Sequence, residues 1–313
     1  MAGARGAAAL ERDDPRRYGV NALETLLEGL VDYAGLFPPA ALPMDDAVRN
    51  YAAYRVGERR GMLARFVLPV ARLDEFVRAA SRIDRGGDIG PWPLSVLAGP
   101  IDASVVAAFN REHGARWVID SIEAKATTVG EVNAVAAAYG GLIVYVEIPV
   151  DADPAELVHA IGAAHLRAKI RTGGVTPEAF PAPAAVLRFL AECVQRQVPF
   201  KATAGLHHPL RGEYPLTYAP DAERGTMYGF LNVFLAATLL HAGTEPASLV
   251  ELLEERDPAA IVADAHGISW RGLHASAAQV AQARSRFAGS FGSCSFEEPV
   301  QDLAALRLLP PRL

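Results

Sequence analysis

Lysine is almost missing from this chain. Of 30 basic residues in 313, only Lys125, Lys169 and Lys201 are lysine, and the other 27 are arginine. Arginine supplies solvated positive charge nearly everywhere. The three lysines are therefore candidates for positions where a removable proton is of use, since a tuned environment can deprotonate an ammonium but not a guanidinium; the base composition of the gene is the other account of their rarity. Cysteine is scarce too. Cys193 and Cys294 make no disulfide framework, and neither has metal-motif spacing. No apolar run reaches the roughly 18 residues of a membrane span. The longest, Met227 to Gly243, contains Asn232 and reads as a buried helix. No Gly-x-Gly-x-x-Gly turn follows the first strand and no Walker loop occurs, which argues against nucleotide binding. The net charge of −6 is mild and the arginines are scattered, so no nucleic-acid partner is expected. Residues 1–20 are too charged after their alanines for a secretory signal, and read as a disordered or extended lead-in. No membrane partner is expected, and a cytoplasmic location follows by default.

What is present is a regular alternation. Short β-rich runs occur at Ala64 to Val70, Pro93 to Gly99, Arg116 to Ile122, Leu142 to Ile148, Leu166 to Arg171 and Val198 to Thr203. Alanine-rich amphipathic stretches lie between them, several opening on Asp or Thr as helices do. The spacing of roughly 25 to 30 residues is that of a βαβ unit, and repeated units imply a parallel sheet. An earlier unit is read at Leu30 to Leu36. The eighth strand is open between Ala260 to Trp270 and Gly289 to Phe296. The expected fold is one (β/α)8 barrel over residues 21–313, with an additional C-terminal segment. A homo-oligomer is compatible with apolar helices such as Met227 to Gly243.

In such a barrel, chemistry sits at the C-terminal ends of the strands. Lys169 and Lys201 fall in the sixth and seventh runs, and Asp120 and Glu147 in or at the ends of the fourth and fifth. Lys125 follows the fourth run and reads as a loop residue before a helix. A lysine at a strand end is often only a solvated charge. Carboxylates inside apolar runs are rarer unless paired. Two lysines on adjacent strands suit imine chemistry, because a neighbouring cation helps one amine stay neutral and nucleophilic. On this reading Lys169 attacks a carbonyl, Lys201 depresses its pKa, and Asp120 or Glu147 moves protons.

Ala168 to Gly174, "AKIRTGG", resembles strand six of the class I aldolases of the 2-deoxyribose-5-phosphate aldolase type, through Lys169, Thr172 and Gly173. "VPFKATAGLHHP" resembles strand seven of that family through Phe200, Lys201, Ala204 and Gly205. Arg116 to Glu123 is similar to strand four through Asp120 alone. The likeness spans Arg116 to His208. It implies a TIM-type barrel, a Schiff base on Lys169, Lys201 as its partner and Asp120 as proton relay, with no cofactor. His207, His208 and Pro209 depart from the family's continuation.

Other residues suggest further roles. Arg171 with Thr172 and Gly173 suits a substrate carboxylate or phosphate, or is merely a helix-entry turn. His207, His208 and Ser293 are candidates for holding a small-molecule substrate. Cys294 lacks a histidine nearby in sequence, and its segment also reads as a tight turn. Asp32 is placed at the rim by the first strand. A metal-dependent lyase, isomerase or hydrolase is the alternative, with His207, His208 and Glu147 as ligands and His165, Asp264 or His266 in support. A non-catalytic binding or scaffold barrel is the third reading.

Overall fold

The computed structural model describes residues 21–84 and 90–309. The expected lead-in at 1–20 lies outside the described residues. Eight parallel strands close into a barrel. They are β1 (Val31–Tyr33), β2 (Leu63–Pro69), β3 (Trp92–Leu97), β4 (Trp117–Lys125), β5 (Ile143–Glu147), β6 (Arg167–Arg171), β7 (Phe200–Thr203) and, far along the chain, β13 (Ala288–Ser293). The order around the barrel is β1-β13-β7-β6-β5-β4-β3-β2. The (β/α)8 fold expected from the alternation is the fold observed. The open question of the eighth strand resolves to β13, which pairs with both β1 and β7.

Helices α1 (Ala22–Leu27), α2 (Met44–Val56), α3 (Leu73–Ile83), α4 (Ala103–His113), α5 (Val129–Ala138), α6 (Ala155–Ala163) and α7 (Pro183–Gln195) accompany the strands. Their limits follow local chemistry. Helix α5 opens on a capping box in which Thr128 and Glu131 each accept from the other's backbone N–H. Alternation then builds the core. Phe66, Leu68, Phe200, Ala202 and Phe291 are fully buried, and their strand neighbours Arg65, Lys201 and Ser290 make polar contacts inside the barrel.

After β7 the chain inserts an antiparallel hairpin, β8 (Gly212–Pro215) with β9 (Arg224–Met227), before α8 (Phe230–His241). Residues 230–240 of α8 are all buried within this chain. Phe234 stacks on Phe200, and Phe230 on Phe291. The apolar helix is therefore sheathed by its own fold and offers no free face to a second copy, which removes the reason for reading an interface there. No helix among the described residues is long and apolar enough to cross a membrane.

Helix α9 (Val250–Leu253) leads to a three-stranded antiparallel sheet, β10 (Ile261–Ala263), β11 (Gly267–Trp270) and β12 (Leu273–Ser276). This sheet is the other segment considered for the eighth strand, and it packs against α1, α8 and α10 (Ala277–Arg286). Buried Glu255 joins it to the body, accepting from Trp270 Nε1, Arg271 Nε and the backbone N–H groups of Arg256 and Asp257. The last helix among the described residues is α11 (Glu297–Ala305).

Asn232 shows why a polar residue sits inside α8. Its Nδ2 donates to the carbonyls of Leu252 and Glu255, and its Oδ1 accepts from Arg211 N–H. Asn232→Ala leaves these buried groups unpaired. It is expected to lower stability by roughly 2–4 kcal/mol, read as an earlier midpoint in chemical denaturation.

Candidate active site

Barrels of this kind usually fill their interior with layers of bulky branched apolar side chains. Here charge occupies it. Lys169 and Lys201 are direct partners across the β6–β7 ladder. The side chains of buried strand residues that face inward have only one another for company. Lys201 Nζ donates to Asp32 Oδ2 at 2.5 Å and to Glu123 Oε1 at 2.6 Å. The other oxygen of Glu123 meets Lys169 Nζ at 2.7 Å. Lys169 also reaches Glu147 Oε2 at 2.8 Å, and the second oxygen of Glu147 lies 3.7 Å from Lys125. All three lysines of the chain thus belong to one row of alternating charge: Asp32, Lys201, Glu123, Lys169, Glu147, Lys125. Ser290 and Ser95 donate to Asp32 and Glu123, completing their shells.

The row rises from a dry floor to open water. The Lys201 side chain is 1% exposed, that of Lys169 6% and that of Lys125 77%. Burial alone would lower the pKa of Lys201. The carboxylates of Asp32 and Glu123 outweigh it and hold the ammonium above the usual lysine range. Burial would raise Glu123, yet the two ammoniums hold it well below the carboxylate range. Glu147 is lowered likewise, mainly by Lys169 working against desolvation.

A cavity of about 390 Å³ opens above Lys169 at the C-terminal ends of the strands. Its β4–β6 wall carries Glu123, Lys125, Glu147, Lys169 and Arg171. Its β1–β3 wall is apolar, with Phe37, Pro38, Pro39, Val67 and Leu97. Thr203, Gly205, His207, Gly292 and Cys294 complete it. The turn after β7 is tight, with Ala204 at φ 63° and Gly205 at φ 71°. A Cβ on Gly205 would stand 3.0 Å from Gly173 Cα, so the turns after β6 and β7 touch there.

Several expectations need correction. Asp120 does not join the lysines. A bulge opposite Leu94 and Ser95 leaves Asp120 as the extra residue of β4 and continues the strand to Lys125. Glu123 then lies roughly 10 Å further along the strand. Asp120 instead binds Arg65 through both oxygens, at 2.6 and 2.8 Å. Lys125 ends β4 and is not a loop residue. Asp32 is fully buried beneath Lys201 and is not at the rim.

Among the binding candidates, Arg171 and His207 line the cavity. Thr172 is buried, and its hydroxyl donates to the Ala204 carbonyl at 2.8 Å, which ties β6 to β7 and leaves no reach for a substrate. Gly173 packs under the Phe180 ring, and Gly174 takes its place on the cavity wall. His208 turns away, stacked on Tyr214 at 3.5 Å with Nδ1 2.5 Å from Asp302. Ser293 is buried behind His207, 3.4 Å from Nδ1.

The alternative metal set does not assemble. Glu147 is taken up by lysines, His208 faces elsewhere, His165 precedes β6 at the opposite end of the barrel, and Asp264 caps its own turn by accepting from His266 and Gly267 N–H. Among the described residues no group of three or more His, Cys, Asp or Glu could hold a metal ion.

Two features were missed in the sequence. Glu123 carries a signal, since Ser121, Glu123 and Lys125 alternate once β4 is extended past Ile122. Cys294 carries none, because its partners come from distant segments. Its Sγ lies 3.7 Å from His207 Nδ1 and 3.6 Å from the Tyr218 hydroxyl, which in turn donates to Glu298. Burial pushes the Cys294 thiol up to about 11, so it stays protonated. Burial, with some repulsion from His208, lowers His207 to about 4 despite Glu298 at 3.6 Å, so its imidazole is neutral at pH 7. No protein-family model and no curated protein matches this chain.

Glu123→Gln would leave two buried lysines sharing one amide. It is expected to cost about 3–5 kcal/mol in chemical denaturation. His207 sets a pH dependence. Its folded pKa lies below the unfolded value of about 6.5, so the unfolded chain takes up its proton first as pH falls. The contribution is fully present above about pH 6.5 and is lost on acidification, the loss reaching about 2–3 kcal/mol by pH 4.5. Denaturation midpoints of His207→Gln should fall less steeply than wild type over that window. Equal slopes would remove His207 as the cause.

Proposed function

We propose that this cavity is the active site of an aldolase-like lyase, which forms an imine between Lys169 and a small carbonyl substrate. One observation carries the reading: Lys169 and Lys201 share the two oxygens of Glu123 at the base of a cavity that Lys169 itself lines. Such a pair of amines has little structural purpose. Arginine or a hydrophobic residue would fill the barrel at lower desolvation cost.

In this mechanism Lys169 passes a proton to Glu147, its 2.8 Å neighbour on the cavity wall. The exchange turns an ion pair into a neutral pair at the same contact and leaves the net charge of the wall unchanged. The freed Nζ lone pair adds to the substrate carbonyl carbon. The oxygen takes up protons and leaves as water, and a C=N bond remains. The protonated imine then draws in the electron pair of the carbon–carbon bond between the α and β carbons as that bond breaks, and an enamine forms. The hydroxyl on the departing carbon gives its proton to neutral His207 and becomes an aldehyde. Protonation of the resulting enamine and addition of water release the second product and restore Lys169.

Lys201 keeps its charge throughout. It holds one oxygen of Glu123, so Lys169 shares that carboxylate with a competing cation. It acts as a positioning residue, and Asp32 and Ser290 fix it in turn.

The test is borohydride reduction in the presence of a panel of aldehydes, ketones and 2-oxo acids, followed by peptide mass mapping. A stable adduct is expected on the peptide containing Lys169, and none in Lys169→Arg. A panel that yields no adduct on Lys169 would overturn the reading.

A further inference from the structure

We infer that the substrate is a 2-oxo acid with an apolar substituent, its carboxylate bound by Arg171. This specifies the substrate of the imine reading above and rests on it. The first observation is an excess of positive charge. The exposed guanidinium of Arg171 lines the cavity and makes no hydrogen bond or ion pair with any described residue, and its field reaches only Glu147, which two lysines already share. Other cations of the barrel are engaged: Lys125 and Lys169 by Glu147, Lys201 by Asp32 and Glu123, Arg65 by Asp120. On the cavity wall stand three cations, Lys125, Lys169 and Arg171, against two carboxylates, Glu123 and Glu147. Lys201 and Asp32 balance each other below. One positive charge remains, and a monoanion neutralises it. A phosphate dianion overshoots.

The second observation is position. Arg171 follows Lys169 by two residues on β6, so both project to the same side, with the Arg171 Cα roughly 7 Å further toward the mouth along the strand. A carboxylate bonded directly to the imine carbon falls between them. The planar fork of arginine suits two carboxylate oxygens at once. A phosphate ester is set off from its carbonyl by at least one carbon and an ester oxygen, and would overreach. The third observation is the opposite wall. Phe37, Pro38, Pro39, Val67 and Leu97 present no charge to the far side of the substrate. The roles then divide. Lys169 takes the carbonyl, Arg171 the carboxylate, and the proline–valine wall the remaining substituent.

Two measurements test this separately from imine formation. In the first, butanoate, which has no carbonyl, is titrated by saturation-transfer NMR into wild type, Lys169→Arg, which keeps the charge but cannot form an imine, and Arg171→Leu. Wild type and Lys169→Arg should both bind it, with binding in Arg171→Leu at least about tenfold weaker and partly recovered in Arg171→Lys. In the second, borohydride trapping of 2-oxobutanoate is compared with butanone and with dihydroxyacetone phosphate. Wild type should prefer 2-oxobutanoate over butanone by about tenfold or more, and Arg171→Leu should erase the preference. Butanoate binding that ignores Arg171, no binding at all, or a preference for butanone or the phosphate overturns the inference. If no carbonyl is trapped but butanoate still binds through Arg171, the imine reading fails and the carboxylate site stands.

Discussion

A single carboxylate holds the centre of this barrel together. Glu123 faces Lys201 with one oxygen and Lys169 with the other, and neither lysine could remain buried without it. Each ion is costly to remove from water, and the cost is met only when every charge has close partners of opposite sign. The alternating row meets that condition by using both oxygens of Glu123 and of Glu147. Serines from β3 and β13 take up remaining acceptor capacity. The result is a polar interior that is satisfied as a unit and not by separate pairs.

The rest of the fold compensates for that interior. Stability has to come from the layer between sheet and helices, where outward-facing strand residues are aromatic or branched. Phe200 and Phe291 anchor α8, and Tyr51 of α2, Phe76 of α3, Phe66 and Trp92 form an aromatic cluster in which three of four ring pairs meet edge to face. Chemistry and packing therefore use opposite faces of the same strands. The two-residue period of a strand allows this division without compromise at either face.

Most of the architecture was legible in the sequence because it depends on local periodicity. The runs read as strands two to seven coincide with β2 to β7 to within a residue or two at most ends, β4 excepted. The rarity of lysine singled out the three residues that the fold gathers. What failed depends on non-local or sub-periodic geometry. One extra residue in β4 moves the alternation from Asp120 to Ser121, Glu123 and Lys125, and propensity does not announce a bulge. The eighth strand lies beyond an inserted hairpin, a buried helix and an accessory sheet, so regular spacing could not find it. The proximity of Cys294 and His207 comes from the ends of β13 and β7, which are neighbours only once the barrel closes.

The depth of the lysine row has one more consequence. Mobile ions screen charges that share their solvent and barely reach those that do not. Lys125 stands in water while Lys201 is sealed off, although the two belong to one connected row. Added electrolyte should therefore weaken the electrostatics of the cavity mouth and leave the floor nearly untouched. Ionic strength becomes a dial that separates recognition at the entrance from cohesion of the barrel, within a single string of contacts.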